Sequence, residues 1–295
     1  MYNGIINVYK EAGFTSHDVV AKLRGILKQK KIGHTGTLDP DATGVLPVCL
    51  GSGTKLCDML TDRSKEYKAV LRLGISTDTE DMTGTVLEEK EVNCDESMVR
   101  DTINSFIGEY DQIPPMYSAL KVNGQKLCDL ARKGIVIERK PRRITIENIE
   151  IISMKLPEVT LKISCSKGTY IRSLCRDIGN KLGVCGCMKS LERIRVGIFE
   201  AKNSLKLSQI EELAKNNTLN DKIVPVDSLF LEYKEVIVSE RNEMLVKNGN
   251  PIVPDAFYGD KIRIYLSDKK FAGIYFYDGN LEVYKPLKMF LNGND

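Results

Sequence analysis

The 295-residue sequence lacks the features that mark membrane, secreted and dinucleotide-binding proteins. No uninterrupted apolar stretch is long enough to span a bilayer, and no leading apolar run ends in a small-residue cleavage site. Eight cysteines are scattered without a C-x-x-C pair, which indicates free thiols in a reducing compartment. Neither a G-x-G-x-x-G fingerprint nor a regular parallel βαβ pattern is present. We therefore expect a soluble, cytoplasmic protein that does not bind a membrane or a dinucleotide.

Histidine is scarce, which limits the kinds of catalytic site that the chain can form. His17 and His34 are the two histidines of the sequence, so a Ser-His-Asp or Cys-His arrangement would have to use one of them. Nothing resembles a nucleophile elbow. Cys185 and Cys187 flank one glycine, but no second pair of ligands follows to complete a zinc site. We predict no metal site.

The sequence has no large excess of positive or negative charge, since its net charge is +3. The charged residues are nevertheless unevenly distributed along the chain. The segment 131–143 sets six basic residues against Glu138, and Lys28, Lys30 and Lys31 form a second cluster. The six are Arg132, Lys133, Arg139, Lys140, Arg142 and Arg143. Two such runs favour a polyanionic partner over an ordinary solvated face.

The residues that are plentiful allow a large core, with 42% hydrophobic and 28% charged residues. Helical and strand patterns mix along residues 1–231, whereas residues 232–295 consist of strand patterns and turns, including an Asp278-Gly279 hairpin signal. We predict an α+β fold in which a larger domain with a mixed sheet, residues 1–231, carries a small β-rich domain, residues 232–295.

The stretch GHTGTLDPDATGVL, residues 33–46, holds two carboxylates in a glycine-rich loop. Asp39 and Asp41 could cap a helix, form a turn, bind a metal or act as a nucleophile. A calcium loop is excluded, because Leu50 occupies the twelfth position, where a bidentate glutamate is needed. A second acidic turn contains Asp78, Glu80 and Asp81. The spacing of these carboxylates matches no known metal-binding motif, so we expect the turn to be solvated surface.

A nucleophilic carboxylate in a tight pocket needs a cation or hydrogen-bond donors to stay ionised. A nucleic-acid base beside it needs an aromatic face on which to stack. Two stretches elsewhere in the chain supply these groups: KEYKA contains Tyr67, and SKGTYIRSL contains Tyr170 and Arg172.

Four motifs in order closely resemble the TruB family of bacterial tRNA pseudouridine synthases, which modify the T-arm uridine at tRNA position 55. They are GHTGTLDPDATGVLPV, KEYKAVLRLG with its STDTED turn, PPMYSALKVNGQKLCDLARKG and CSKGTYIRSLCRDIG. The resemblance covers residues 4 to about 200 and is looser towards the C-terminus.

The resemblance implies a catalytic set. Asp39 is the implied nucleophile that attacks the flipped uridine, and Arg172 is implied to pair with it and keep it charged. Tyr67 is implied to stack on the extruded base and to assist proton removal. The base is detached, rotated and rejoined through carbon, so the resemblance implies no cofactor.

Other residues are implied to bind the substrate. Tyr170 shapes the pocket wall, Leu191 adds an apolar face, and His34 fills the space that the flipped nucleotide vacates. The basic segment falls in an insertion, around residues 113–145, that closes over the tRNA; the candidate phosphate contacts are Arg139, Lys140, Arg142 and Arg143.

The resemblance also bears on partners. The C-terminal part resembles a shortened PUA domain, which contacts the acceptor end of tRNA in relatives. The long basic extensions of guide-RNA-dependent relatives are missing, so we expect a stand-alone monomer that uses no guide RNA. The competing hypothesis is an RNA-binding or tRNA-folding protein in which catalysis is secondary.

Overall fold

The computed structural model describes residues 1–61 and 64–291. Its strands are β1 (Gly4–Lys10), β2 (Ile32–His34), β3 (Thr43–Leu50), β4 (Lys65–Leu73), β5 (Ile75–Thr77), β6 (Val86–Glu89), β7 (Gly108–Gln112), β8 (Lys121–Val122), β9 (Gln125–Lys126), β10 (Arg142–Lys155), β11 (Glu158–Cys165), β12 (Gly186–Val196), β13 (Phe199–Glu200), β14 (Ile223–Val224), β15 (Lys234–Ile237), β16 (Lys261–Tyr265), β17 (Phe271–Asp278) and β18 (Val283–Met289). Its α-helices are α1 (Ser16–Leu27), α2 (Cys57–Thr61), α3 (Glu96–Asn104), α4 (Leu127–Ala131), α5 (Ile171–Lys181), α6 (Leu207–Lys215) and α7 (Glu240–Lys247).

One large mixed sheet organises the molecule, which confirms the predicted α+β class. Its strand order is β14-β1-β3-β12-β4-β11-β10-β7, with β2 added beside β3 and β13 beside β12. Neighbouring strands are antiparallel except for β3 and β12, which run parallel. The loop before β3 and the strands β4 and β12 therefore meet in the middle of the sheet.

The apolar run of β1 makes a strand that is buried on both faces. Ile6 and Val8 pack with α1 and α6, whereas Ile5 points to a second cluster that includes Phe230 and Ile274. A strand covered on both sides is expected to have a continuous apolar run instead of an alternating one. By contrast, β4 alternates buried and less buried residues and places Tyr67 on a buried face.

Helix α1 starts at a capping box. The Thr15 hydroxyl accepts a hydrogen bond from the Asp18 amide, while the Asp18 carboxylate accepts one from the Thr15 amide at 2.8 Å. Ser16, the first residue of the helix, has a different role: its hydroxyl accepts a hydrogen bond from the amide of Leu38 at 2.9 Å. Ser16 thereby ties the start of α1 to the loop that carries Asp39.

The C-terminal residues form a separate four-stranded sheet in the order β15-β16-β17-β18, as the strand patterns predict. The hairpin between β17 and β18 follows Asp278, which pairs with Val283. Helix α7 was not expected in a region of strands and turns, and its short, mostly exposed sequence carries little apolar periodicity. The boundary at residues 231 and 232 stays a prediction. Within the described residues, no helix is both long and apolar enough to cross a membrane.

Candidate active site

The loop of Asp39 is shaped by buried contacts on either side of that residue. Leu38 and Ala42 are buried in the main core. The ammonium of Lys10, at the end of β1, donates to the carbonyl of Pro40 at 2.8 Å and to that of Ala42 at 2.6 Å. Both flanks of Asp39 are therefore held by buried contacts, and 38% of its side-chain surface stays accessible.

Arg172, in the first turn of α5, binds Asp39 through a two-pronged contact. Its Nε lies 3.0 Å from Oδ2 of Asp39, and its Nη2 donates to Oδ1 at 3.2 Å. The guanidinium also donates to the carbonyl of Thr79 at 3.0 Å and to that of Tyr117 at 2.8 Å. Arg172 is only 5% exposed, so these four contacts satisfy a buried charge. The pairing that the resemblance implies is present.

Burial dominates the electrostatics of Asp39. Desolvation raises the pKa of its carboxyl above the ordinary value, and the negative charge of Asp81 acts in the same direction. The positive charges of Arg172 and Lys10 oppose this rise. Burial also lowers the pKa of Lys10 to about 8, although the carboxylates of Asp41 and Asp39 favour its protonated form. Arg172 thus limits the rise in the pKa of Asp39 but does not reverse it.

The acidic turn after β5 is part of the site, so the expectation of solvated surface is wrong. Glu80 is 8% exposed, and the carboxylate of Asp81 reaches within 3.8 Å of Arg172 Nε. Asp78 is half-buried and accepts a hydrogen bond from the amide of Thr85 at 2.7 Å. Metal-ligand spacing was the wrong test for this turn, because its carboxylates bind arginines and backbone amides.

Tyr67 lies beside a buried arginine that the sequence patterns do not predict. Arg193 of β12 pairs with Tyr67 across the strands, is 1% exposed, and donates to the carbonyls of Val45 at 2.7 Å and Gly36 at 3.2 Å. Gly44 leaves room for it: its φ is +104°, and a Cβ there would lie 2.2 Å from the Arg193 carbonyl oxygen. The clue in the sequence is the alternation Leu191-x-Arg193, which places both residues on one face of a strand.

The environment of Tyr67 bears on its chemistry. Burial raises the pKa of Tyr67 to about 12, so its phenol is protonated at neutral pH. The charge of Asp39 contributes to this rise, which places the ring and the carboxylate in one site. A neutral, buried ring fits a stacking role better than that of a proton acceptor.

The other predicted substrate-binding residues line the same region less directly. Tyr170 precedes α5 and is half-buried; burial raises its pKa, while Arg142 and Arg172 oppose the rise. Leu191 is half-buried against the cluster that contains Tyr67. His34 lies in β2 with its ring centroid 6.0 Å from that of His17, and burial lowers its pKa, so the ring is neutral at pH 7. Their roles toward a substrate stay predictions.

The basic segment is partly neutralised within the protein. Arg143 forms exposed ion pairs with Glu109 at 3.2 Å and Asp111 at 3.4 Å. Arg139 donates to the carbonyl of Pro114 at 3.1 Å, and its Nε has no hydrogen-bond partner among the described residues. Lys140 and Arg142 are exposed.

No group of three or more potential metal ligands occurs in residues 1–61 and 64–291.

Comparisons with known proteins find one family along most of the chain. The family model described as "TruB family pseudouridylate synthase (N terminal domain)" matches residues 24–171, and "tRNA pseudouridylate synthase B C-terminal domain" matches residues 172–231. A tRNA pseudouridine synthase B of Lachnoclostridium phytofermentans is 58% identical over 98% of this chain and 100% of its own length. The corresponding protein of Clostridium tetani is 48% identical over 92% of this chain and 94% of its own.

The fold likewise resembles solved structures. A chain in the crystal structure of a Cbf5-Nop10-Gar1 complex superposes with a TM-score of 0.73 at 25% identity, covering 99% of this chain and 86% of that chain. A chain in an H/ACA RNP bound to a substrate RNA containing 2'-deoxyuridine gives a TM-score of 0.71 at 24% identity, covering 98% of this chain and 85% of that chain, and shows the fold alone.

Replacing Arg172 with Met should raise the pKa of Asp39 further, because the substitution removes the nearest opposing positive charge. Carbon-13 chemical shifts of the aspartate carboxyls, followed through a pH titration of wild type and variant, measure this change. The carboxyl of Asp95, which caps α3, serves as the internal control and should titrate alike in both proteins. An unchanged Asp39 titration in a folded variant would show that the two-pronged contact does not set its charge.

Proposed function

The chain belongs to the TruB family of pseudouridylate synthases, which isomerise uridine in tRNA, and we propose that its target is the T-arm uridine at position 55. The observation that carries this proposal is the Asp39–Arg172 pair: one carboxylate, fixed on a rigid loop and held by a buried guanidinium, beside the aromatic ring of Tyr67. A carboxylate in that setting can form and release a covalent bond to a nucleotide.

In this proposal the target uridine is flipped out of the tRNA into the site. Its base stacks on Tyr67, with Tyr170 and Leu191 as further walls, and His34 fills the space left in the RNA. Asp39 attacks the nucleotide and forms a covalent bond, and the base separates from its sugar, rotates and rejoins through carbon as the bond to Asp39 is broken. The joining carbon loses a proton and the freed ring nitrogen gains one, so the product has the same atoms as the substrate. The reaction needs neither a redox step nor phosphate activation, so no cofactor is assigned.

We also propose partners and a location for the protein. Relatives that match this chain almost end to end are named tRNA pseudouridine synthase B, which supports an enzyme that acts on tRNA. We propose that it does so without a guide RNA. We assign residues 1–231 to catalysis and residues 232–295 to a PUA-like unit that contacts the acceptor end of the tRNA. The protein is proposed to work as a monomer in the cytoplasm.

Asp39→Asn should abolish turnover, because the amide keeps the shape of the side chain but removes the nucleophile. The expected loss is on the order of 10⁴-fold or more, while tRNA binding persists. Pseudouridine is mapped in unmodified tRNA after incubation with the protein, without added metal or nucleotide. Asp41→Asn is the matched control: it makes the same change two residues away on an exposed side chain and should keep most activity.

This experiment also tests the competing function. If wild type binds tRNA and promotes its folding but makes no pseudouridine, the protein is an RNA-binding or tRNA-folding protein. If Asp39→Asn makes pseudouridine at a comparable rate, the proposed mechanism is wrong.

Substitutions at Tyr67 separate stacking from proton transfer. Tyr67→Phe keeps the ring and Tyr67→Leu removes it, so tRNA binding should weaken mainly for Leu, by about 1–3 kcal/mol. Equilibrium binding and single-turnover rates are measured for both variants. A Phe variant with normal binding and no turnover would instead assign the hydroxyl a chemical role, in spite of its raised pKa.

The basic segment should contribute to binding through phosphate contacts. Replacing Arg139, Lys140, Arg142 and Arg143 with Gln should weaken tRNA binding most at low salt. Each lost contact should lower the slope of log affinity against log salt by about 0.7–0.9. Single-turnover chemistry at saturating tRNA should suffer less, because Asp39, Tyr67 and Arg172 are unchanged.

The matched control carries the same change in charge elsewhere on the surface. It replaces four exposed lysines with Gln: Lys202, Lys206, Lys215 and Lys222. Salt slopes are compared among wild type, the segment variant and this control. Equal slopes for wild type and the segment variant would mean that the segment faces water and binds no phosphate.

A further inference from the structure

Two arginines of α5 bind the same two segments of the chain. Arg172 donates to the carbonyls of Thr79, in the acidic turn, and Tyr117, in the insertion. Arg176 follows one helical turn later, pairs with the carboxylate of Glu80, and donates to the carbonyl of Ile113 at 3.0 Å. Each arginine therefore links α5 both to the acidic turn and to the start of the insertion.

Glu80 is anchored more firmly than a surface residue would be. Its other carboxylate oxygen accepts a hydrogen bond from the Ser173 hydroxyl at 2.6 Å, and its carbonyl accepts one from the amide of Met188 at 3.0 Å. Its φ is +63°, a left-handed conformation that non-glycine residues adopt only when their surroundings hold them there. The side-chain contacts with α5 supply part of that hold.

The anchored residue stands between two residues that touch Arg172. Thr79, before Glu80, offers its carbonyl to Arg172, and Asp81, after it, places a carboxylate oxygen 3.8 Å from Arg172 Nε. A shift of Glu80 would move both. On the other side of α5, Ile113 lies four residues before Tyr117, whose carbonyl accepts from Arg172 at 2.8 Å.

We infer that Arg176 is a positioning residue for the isomerisation: through Glu80 and Ile113 it fixes the carbonyls that orient Arg172, and so aligns the guanidinium with Asp39. The inference rests on the proposed function, since it takes Asp39 to be the reacting carboxylate. Arg176 itself touches neither Asp39 nor the substrate in this scheme.

A pH profile can report this indirect action. The rate should fall at low pH as Asp39 becomes protonated, and the charged groups that act on Asp39 are Arg172, Asp81 and Lys10. Arg176 faces Glu80 and Asp177 instead. If Arg172 loses its alignment, its opposition to the rise in the pKa of Asp39 weakens, and the acid limb of the profile moves to higher pH.

The experiment compares Arg176→Met and Arg176→Lys with wild type. Single-turnover rates at saturating tRNA are measured across pH, together with the tRNA concentration for half-saturation and the thermal unfolding of each protein. For Arg176→Met we expect the single-turnover rate to fall about 10- to 100-fold and the acid limb of its pH profile to move to higher pH. The tRNA concentration for half-saturation should change little. Lys keeps the charge but cannot span both acceptors, so it should recover stability and only part of the rate.

Arg195→Met is the matched control. Arg195 also pairs with a carboxylate, Glu66, at 2.9 Å and donates to a carbonyl, that of Gly197, at 3.1 Å. Its side chain is 28% exposed, against 21% for Arg176. Because Glu66 and Tyr67 point to opposite faces of β4, this variant should show the wild-type rate and acid limb.

Three results would overturn the inference. The first is a wild-type rate and acid limb in both folded Arg176 variants; if the Met variant does not fold, the Lys variant decides alone. The second is a change in the tRNA concentration for half-saturation with no change in the rate. The third is a lower rate whose acid limb stays at the wild-type pH, which would indicate a role in stability. The proposed function fails separately, if wild type makes no pseudouridine or if Asp39→Asn stays active.

Discussion

The contact between the Arg172 guanidinium and the Asp39 carboxylate is the constraint on which the arrangement of this site depends. A buried guanidinium must have acceptors for its donors, because an uncompensated buried charge costs about 3–5 kcal/mol. Arg172 takes its acceptors from three places: the Asp39 loop, the carbonyl of Thr79 in the acidic turn, and the carbonyl of Tyr117 in the insertion. Segments far apart in the sequence are therefore drawn to the first turn of α5.

Three buried cations hold the loop of Asp39, which explains why a carboxylate occupies so rigid a turn. Lys10 binds carbonyls within the loop, Arg193 binds the carbonyls of Gly36 before it and Val45 after it, and Arg172 binds the carboxylate itself. Burial still raises the pKa of Asp39, so the cations limit a desolvation cost that they do not cancel. A carboxylate that is held in place but incompletely stabilised is suited to forming a covalent bond and releasing it.

The parts of this structure that the sequence predicts are those with local signals. The C-terminal sheet follows from the strand patterns of residues 232–295, and its last hairpin follows from Asp278-Gly279. The Asp39–Arg172 pair was implied by the resemblance of four motifs. Arg193 and Glu80 were missed because a charged residue in a strand or an acidic turn is normally solvated, and partners more than 90 residues away bury them here. Likewise, the ion pairs of Arg143 with β7 cannot be read from a run of basic residues.

The insertion, around residues 113–145, carries basic side chains and also supplies backbone acceptors to two arginines. Its basic side chains are the proposed phosphate contacts, and its backbone supplies an acceptor to Arg172 through Tyr117 and an acceptor to Arg139 through Pro114. Arg139, a candidate phosphate contact, thus binds the carbonyl of Pro114, three residues before Tyr117, whose carbonyl accepts from Arg172. A movement of the insertion toward bound RNA would change the surroundings of Arg172 as well. If the proposed phosphate contacts form, RNA binding and the orientation of Arg172 depend on the same short stretch of backbone, residues 114–117.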